Sequence, residues 1–124
     1  MSHQILVVDD DPEIIELVRN RLEANAYVVF TAVDGVEGLA IARQYIPDLI
    51  ILDVMMPHMD GYTFIQELKL INELRSVPVL VLTAKPDMKE LFEKEGIGGF
   101  LVKPIRTDVF LNEVEKLLNR QIGG

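Results

Sequence analysis

Two apolar runs in this chain end on carboxylates: residues 5–8 lead into Asp9, Asp10 and Asp11, and residues 49–52 lead into Asp53. Two more end on other polar groups, residues 79–82 on the hydroxyl of Thr83 and residues 100–102 on the ammonium of Lys103, with Pro104 behind it. If Asp9, Asp10 and Asp53 meet in one crevice, their like charges raise one another's pKa and cost stability, so a cation must compensate them. Carboxylate oxygens with no soft ligand nearby select a hard cation. Mg²⁺ leads, held by few protein ligands and several waters. A hydroxyl and an ammonium at the same edge are what a phosphoryl group on a carboxylate needs: Thr83 as a hydrogen-bond donor and Lys103 as a flexible point charge. Together the residues describe phosphoryl transfer to a carboxylate, with metal and lysine neutralising the charge in flight. Asp11 has a plainer role, as the cap of a helix that starts at Pro12. His58 is read as a solvated loop histidine, because the transfer needs no second base.

These side chains act together only if the apolar runs are neighbouring strands. Residues 5–8, 27–31, 49–52, 79–82 and 100–102 read as strands. Four of them are nearly all apolar, as suits strands buried on both faces of a parallel sheet. Residues 27–31, with Tyr27 and Thr31, have the character of an edge strand. Helix signals fill the gaps. Asp11-Pro12 gives a cap and a first-turn proline before Ile14, Ile15, Val18 and Leu22. Asp34 with Glu37 makes a capping box ahead of Val36, Leu39 and Ala40. Asp60-Gly61 opens a third helix with Phe64, Ile65 and Leu68 inward. Asp87 with Glu90 predicts the cap of a fourth, with Met88, Leu91 and Phe92 inward and Gly96 as its stop. Thr107 caps the last, with Phe110, Val114, Leu117 and Leu118 on its core face.

Alternating strands and helices predict a doubly wound α/β fold: a five-stranded parallel sheet in the order 2-1-3-4-5, with five helices on both faces. That order has a switch point between strands one and three, and ligands of such folds bind beyond the carboxyl ends of the strands there. Asp9, Asp10 and Asp53 stand at that crevice.

The length, 124 residues, suits a single domain, and 49% hydrophobic with 26% charged residues suits a soluble protein with a core. No apolar run approaches the ~20 residues of a membrane span, and Met1 to Gln4 carry no signal-peptide pattern. The expected location is cytoplasmic. Without cysteine there is no disulfide or thiolate metal site, and the two histidines are far apart. A net charge of −8 argues against direct nucleic-acid binding.

Along nearly its whole length the chain resembles the receiver domains of two-component response regulators, a chemotaxis-Y-like, flavodoxin-like fold. The resemblance rests on Ile5-Leu6-Val7-Val8-Asp9-Asp10-Asp11-Pro12, on Asp48-Leu49-Ile50-Ile51-Leu52-Asp53-Val54-Met55-Met56-Pro57 with Asp60-Gly61, on Thr83-Ala84, and on Phe100-Leu101-Val102-Lys103-Pro104. It implies one receiver domain over residues 1–124, a phosphorylation-dependent signalling switch rather than an enzyme with a turned-over substrate. Asp53 would be the phosphoacceptor, charged by a histidine kinase or phosphotransfer protein. Asp10 would bind Mg²⁺ directly and Asp9 largely through water, with Asp53 and the Met55 carbonyl as further ligands. Thr83, Ala84 and Lys103 would hold phosphoryl oxygens, and the Lys103–Pro104 peptide would be cis. Thr83 and Phe100 would switch and thereby regulate a partner or effector. Met55, which excludes water, and Lys85, which cannot take up its proton, would lengthen the phosphorylated lifetime.

Three features depart from the family's pattern. The Thr83 to Lys103 stretch is slightly short, which predicts a clipped fourth helix or loop. Gly98 and Gly99 replace acids used in a charged dimer interface. The chain also stops soon after the last helix, so no effector domain is expected. The main rival is an aspartyl-phosphate phosphatase of haloacid-dehalogenase type, with Asp9 and Asp11 as its Asp-x-Asp pair and Asp9 as nucleophile. It would need a cap insertion and a longer chain. The complete acid, threonine and lysine set opposes a scaffold that never handles phosphate. The lack of a Gly-rich loop after strand one opposes a flavin or dinucleotide module.

Overall fold

Strands and helices alternate from end to end in a computed structural model that describes residues 2–54 and 59–123. The strands are β1 (Gln4–Val8), β2 (Val28–Ala32), β3 (Leu49–Asp53), β4 (Val79–Thr83) and β5 (Gly99–Val102). The helices are α1 (Pro12–Glu23), α2 (Gly35–Tyr45), α3 (Gly61–Lys69), α4 (Lys89–Lys94) and α5 (Thr107–Gly123), with a 3₁₀ turn at Pro86–Met88. All pairings are parallel, and the order is β2-β1-β3-β4-β5. The expected fold is therefore the observed one.

The apolar runs have a simple physical reason. Successive side chains of a strand point to opposite faces, and helices cover both. Leu6, Val8, Ile50, Leu52, Val79 and Val81 join Phe64, Ile65, Leu68 and Phe92 in one core. Ile5, Val7, Leu49, Ile51, Leu80 and Leu82 join Val18, Leu22, Phe110, Val114, Leu117 and Leu118 in the other. A buried parallel strand cannot alternate apolar with polar residues, because neither face meets water. Both end strands are less covered: Val28 on β2 and Val102 on β5 are exposed. For β5 this corrects the reading of residues 100–102 as buried on both faces.

Several local expectations need correction. Tyr27 precedes β2, because its N–H donates to the Leu22 carbonyl in the turn that ends α1. In α2, Val36 and Ala40 are exposed, Gly35, Gly38 and Ala42 are buried, and Leu39 packs half-buried against the core as expected. A Cβ on Gly38 would lie 3.1 Å from both a Phe64 ring carbon and Val8 Cγ2, so at this position the helix comes too close for a larger side chain. Asp87 caps nothing. Pro86, with φ fixed and no N–H, starts the 3₁₀ turn behind Lys85, and α4 begins after Met88 with no side-chain cap. Leu91 faces outward, because a helix of six residues offers little buried face and Phe92 takes it. Thr107 is the first residue inside α5, and the Arg106 carbonyl accepts the Phe110 N–H. The short α4 agrees with the expected clipping, and Gly96, at φ +76°, stops it as expected.

Candidate functional site

The C-terminal ends of the four strands β1, β3, β4 and β5 bring the expected side chains to one edge. β1 hands the chain to Asp9, whose N–H donates to the Ala32 carbonyl at 3.1 Å, so the end of β2 fixes its backbone. The Asp9 carboxylate accepts the Asp11 N–H at 2.9 Å. Asp11 in turn accepts the Glu13 N–H at 2.9 Å and caps α1, as expected. Asp53 closes β3. Next to it the α3 N-terminus comes unusually near: the Gly61 N–H donates to the Val54 carbonyl at 2.9 Å, and a Cβ on Gly61 would stand 2.9 Å from Val54 Cα and 3.2 Å from the Asp53 carbonyl. Only glycine fits there. The sequence marks Gly61 as a helix opener, whereas its closeness to the Asp53–Val54 backbone is visible only in three dimensions.

Lys103 reaches the acids from β5. Its N–H donates to the Thr83 carbonyl at 2.7 Å, and the Lys103–Pro104 peptide is cis. The ammonium lies 3.6 Å from Asp9 Oδ2 and 3.7 Å from Asp53 Oδ1, between the two carboxylates. Asp9, Asp10 and Asp53 each present an oxygen within 4.8 Å of the others. Three carboxylates against one ammonium leave a deficit that a divalent ion balances. The all-oxygen donor set and its span suit a hard cation coordinated at about 2 Å.

Asp9 bears the electrostatic strain of this arrangement. It is 2% exposed. Burial pushes its carboxyl up from 3.8 to about 6; the Asp11 N–H and Lys103 hold it down, while Asp53 and Asp10 push it further up. Thr83 is buried at the end of β4, and its Oγ1 accepts the Lys85 N–H at 3.1 Å. Ala84 and the Lys85 side chain are exposed just beyond. Phe100 is half-buried on β5, its ring 6.4 Å from that of Phe92. Met55 and His58 lie outside the described residues, so the structure says nothing of the expected carbonyl ligand or the loop histidine.

Beside Lys103 runs an apolar groove of about 490 Å³, lined among others by Ile14, Leu17, Arg21, Ala84, Pro104 and Ile105. No described helix is long and apolar enough to cross a membrane.

A family model described as the response regulator receiver domain matches residues 5–115. The DNA-binding dual master transcriptional regulator RpaA of Synechocystis is 41% identical over 119 residues, 94% of this chain and 49% of that protein. The chain thus spans about half the length of that relative. Among solved structures, the chemotaxis protein CheY4 of Vibrio cholerae matches with TM-score 0.89 at 34% identity, covering 94% of this chain and 99% of the other. The receiver domain of the sensor histidine kinase PA1611 of Pseudomonas aeruginosa has a magnesium ion coordinated in its active site cleft. It matches with TM-score 0.84 at 28% identity over 100% of both chains.

Proposed function

Because this chain belongs to the response regulator receiver domain family, whose members are phosphoacceptor signalling switches, we propose that its phosphoacceptor is Asp53 and its donor a histidine kinase or phosphotransfer protein. The observation that carries this reading is the Lys103 ammonium poised between Asp9 and Asp53, at the edge where Asp10 and Thr83 also converge. An Asp53 oxygen attacks phosphorus as the bond to the donor's imidazole nitrogen breaks. Lys103 then turns from the carboxylate to a phosphoryl oxygen. Thr83 Oγ1, which already accepts from Lys85, still has its own proton to donate to another. Mg²⁺ bound by Asp9, Asp10 and Asp53 would supply charge neutralisation at the phosphoryl oxygens. The apolar groove beside Lys103 supports a protein as donor, since a small acyl phosphate has no use for it.

The output is a conformational change, through Thr83 and Phe100, that regulates an effector protein or domain. We place residues 1–124 in the cytoplasm as one receiver domain, with no nucleic-acid contact of their own at a net charge of −8. The phosphatase alternative gains no support: its nucleophile would be Asp9, which is buried and held by the Asp11 N–H.

The test is incubation with acetyl phosphate and Mg²⁺, followed by mass spectrometry. Wild type should gain one phosphoryl group on Asp53, and Asp53→Asn should gain none. Undiminished labelling of the variant would refute the assignment. The same preparation, followed after donor removal, reads the lifetime. Met55→Asn with Lys85→Glu should shorten it, because both replacements bring polar groups able to orient water.

A further inference from the structure

The sheet has two lateral edges, β2 and β5, and they are finished differently. β5 opens on Gly99 and runs into Lys103 and Pro104. Lysine and proline are among the ordinary means of keeping an edge strand from pairing with another chain. β2 carries neither. No charged residue and no proline stands between Glu23 and Asp34, and the strand reads Val28-Val29-Phe30-Thr31-Ala32. On its inner side the Val28 N–H donates to the His3 carbonyl at 2.9 Å, and the Ala32 carbonyl accepts the Asp9 N–H at 3.1 Å. Backbone groups of a strand alternate in direction, so Val28, Phe30 and Ala32 face β1, while Val29 and Thr31 turn N–H and C=O away from it. No described residue meets them on that side. Apolar surface continues beside the edge. Val28 is 43% exposed, and the Tyr45 ring of α2, 44% exposed, stacks on Phe30 with centroids 4.3 Å apart.

We propose that β2 is an interface for a second copy of this chain, the two strands pairing antiparallel about a two-fold axis at Phe30. A row of outward N–H and C=O groups calls for another strand, which repeats acceptors and donors at the same spacing. This strand is its own complement. With Phe30 on the axis, Val29 of each copy stands opposite Thr31 of the other, and each such pair exchanges both backbone hydrogen bonds. Phe30 then meets Phe30 across the axis with the Tyr45 rings beside them, an aromatic cluster favoured beyond the area it buries. Charge permits the contact: the chain carries −8 overall, yet the stretches that meet are uncharged, so no like charges are directly opposed. The assembly also closes. Pairing uses up both β2 edges and leaves only the β5 edges, with Lys103 and Pro104, at the ends of the joined sheet. One short edge buries less than the ~1,200 Å² of a stable complex, so the dimer is weak and controlled by concentration. No side chain of the acidic site takes part, and the inference is independent of the phosphoacceptor reading.

The experiment is sedimentation equilibrium of the whole chain from micromolar to about 1 mM, the range of a weak complex, with amide exchange read by NMR on the same samples. Wild type should pass from monomer to dimer and stop there. Where about nine-tenths of the chains are paired, exchange at the Val29 and Thr31 amides should slow about ten-fold, because only the monomer exposes them. The Val28 and Phe30 amides, already turned to β1, should change far less. Val28→Lys puts a charge on the edge at a side chain that is already exposed, so a folded variant is expected, with a wild-type melting transition at low concentration. It should abolish the dimer. Val102→Lys, at a similarly exposed valine on β5, should leave it intact. A chain that stays monomeric at every concentration would overturn the inference, and so would growth past the dimer. A dimer whose Val29 and Thr31 amides keep their monomer rates, or one that Val102→Lys breaks and Val28→Lys does not, would place the interface elsewhere and overturn it equally.

Discussion

Two of the crossovers that leave the sheet at the functional edge are built in opposite ways. The first runs from Asp9 into α1. Asp11 caps the helix, Pro12 occupies its first turn, and Ile15, Val18 and Leu22 are buried along its twelve residues. The other runs from Thr83 into α4, which has no side-chain cap, six residues and a single buried side chain, Phe92. Helical stability in proteins comes mostly from the packed apolar face, so the first is firmly fixed and the second is marginal. The acids must keep a fixed geometry to hold a cation. In the switch proposed above, the hydroxyl changes partner, and it holds the first amide of the chain behind it. One sheet edge therefore joins a rigid half-site to a movable one.

The sharpest way to break this comparison is Phe92→Ala. If α4 hangs on that one ring, the substitution should cost ~3–5 kcal/mol in urea unfolding, the usual loss for a buried aromatic. Neighbouring Leu91→Ala, on the exposed face, should stay within about 0.5 kcal/mol. Similar losses at the two positions would mean that α4 is held more broadly than its burial indicates.

The rigid half should show its strain in the pH dependence of stability. Asp9 has a folded value of about 6 against 3.8 unfolded, so the folded state binds the extra proton between them. Stability from Asp9 is full below about pH 4 and is lost as pH rises through about 6, by at most ~3 kcal/mol. In the absence of divalent ions, Asp9→Asn should therefore gain on wild type over that window. Mg²⁺ at neutral pH should raise the wild-type melting temperature, and Asp10→Ala should abolish the rise. A gap between wild type and Asp9→Asn that does not change with pH would remove the strain from the first crossover.

The sequence makes one half of the site far more legible than the other. Strand runs, the sheet order and the meeting of Asp9, Asp10, Asp53, Thr83 and Lys103 all follow from apolar patterning and the rule that parallel folds bind ligands at strand ends. The caps at Asp11, Asp34 and Asp60 are local hydrogen bonds, two or three residues long, and local spacing encodes them fully. Asp87 had the same spacing and failed, because Pro86 had already begun a tighter turn one residue earlier. The tight packing at Gly38 and at Gly61 is not legible for another reason. Each is required by a contact with a distant element, and one sequence does not reveal which backbones approach closely. The Tyr62–Glu95 bond joins residues 33 apart in sequence and has no local signature at all.

The smallest expected effect is also the most direct comparison of the two crossovers, because it uses one residue type in two exposed positions. Asp11 and Asp87 both come shortly before an α-helix, and both are exposed. Asp11 Oδ1 accepts the Glu13 N–H at 2.9 Å, so Asp11→Ala leaves a first-turn donor without its partner and should cost ~1 kcal/mol. Mg²⁺ binding should change little, because alanine keeps the backbone N–H that orients Asp9. Asp87 sits inside the 3₁₀ turn, and neither start, behind Lys85 or behind Met88, has a side-chain cap bond. What remains for it is the attraction of a negative charge to a short helix's N-terminus, which salt screens. Asp87→Ala should therefore change stability by less than about 0.5 kcal/mol, and by still less at high ionic strength. Paired urea titrations of the two variants at low and high salt measure both. A salt-insensitive loss at Asp87 as large as that at Asp11 would show that α4 is capped after all, and the contrast between the rigid and the movable half would fall with it.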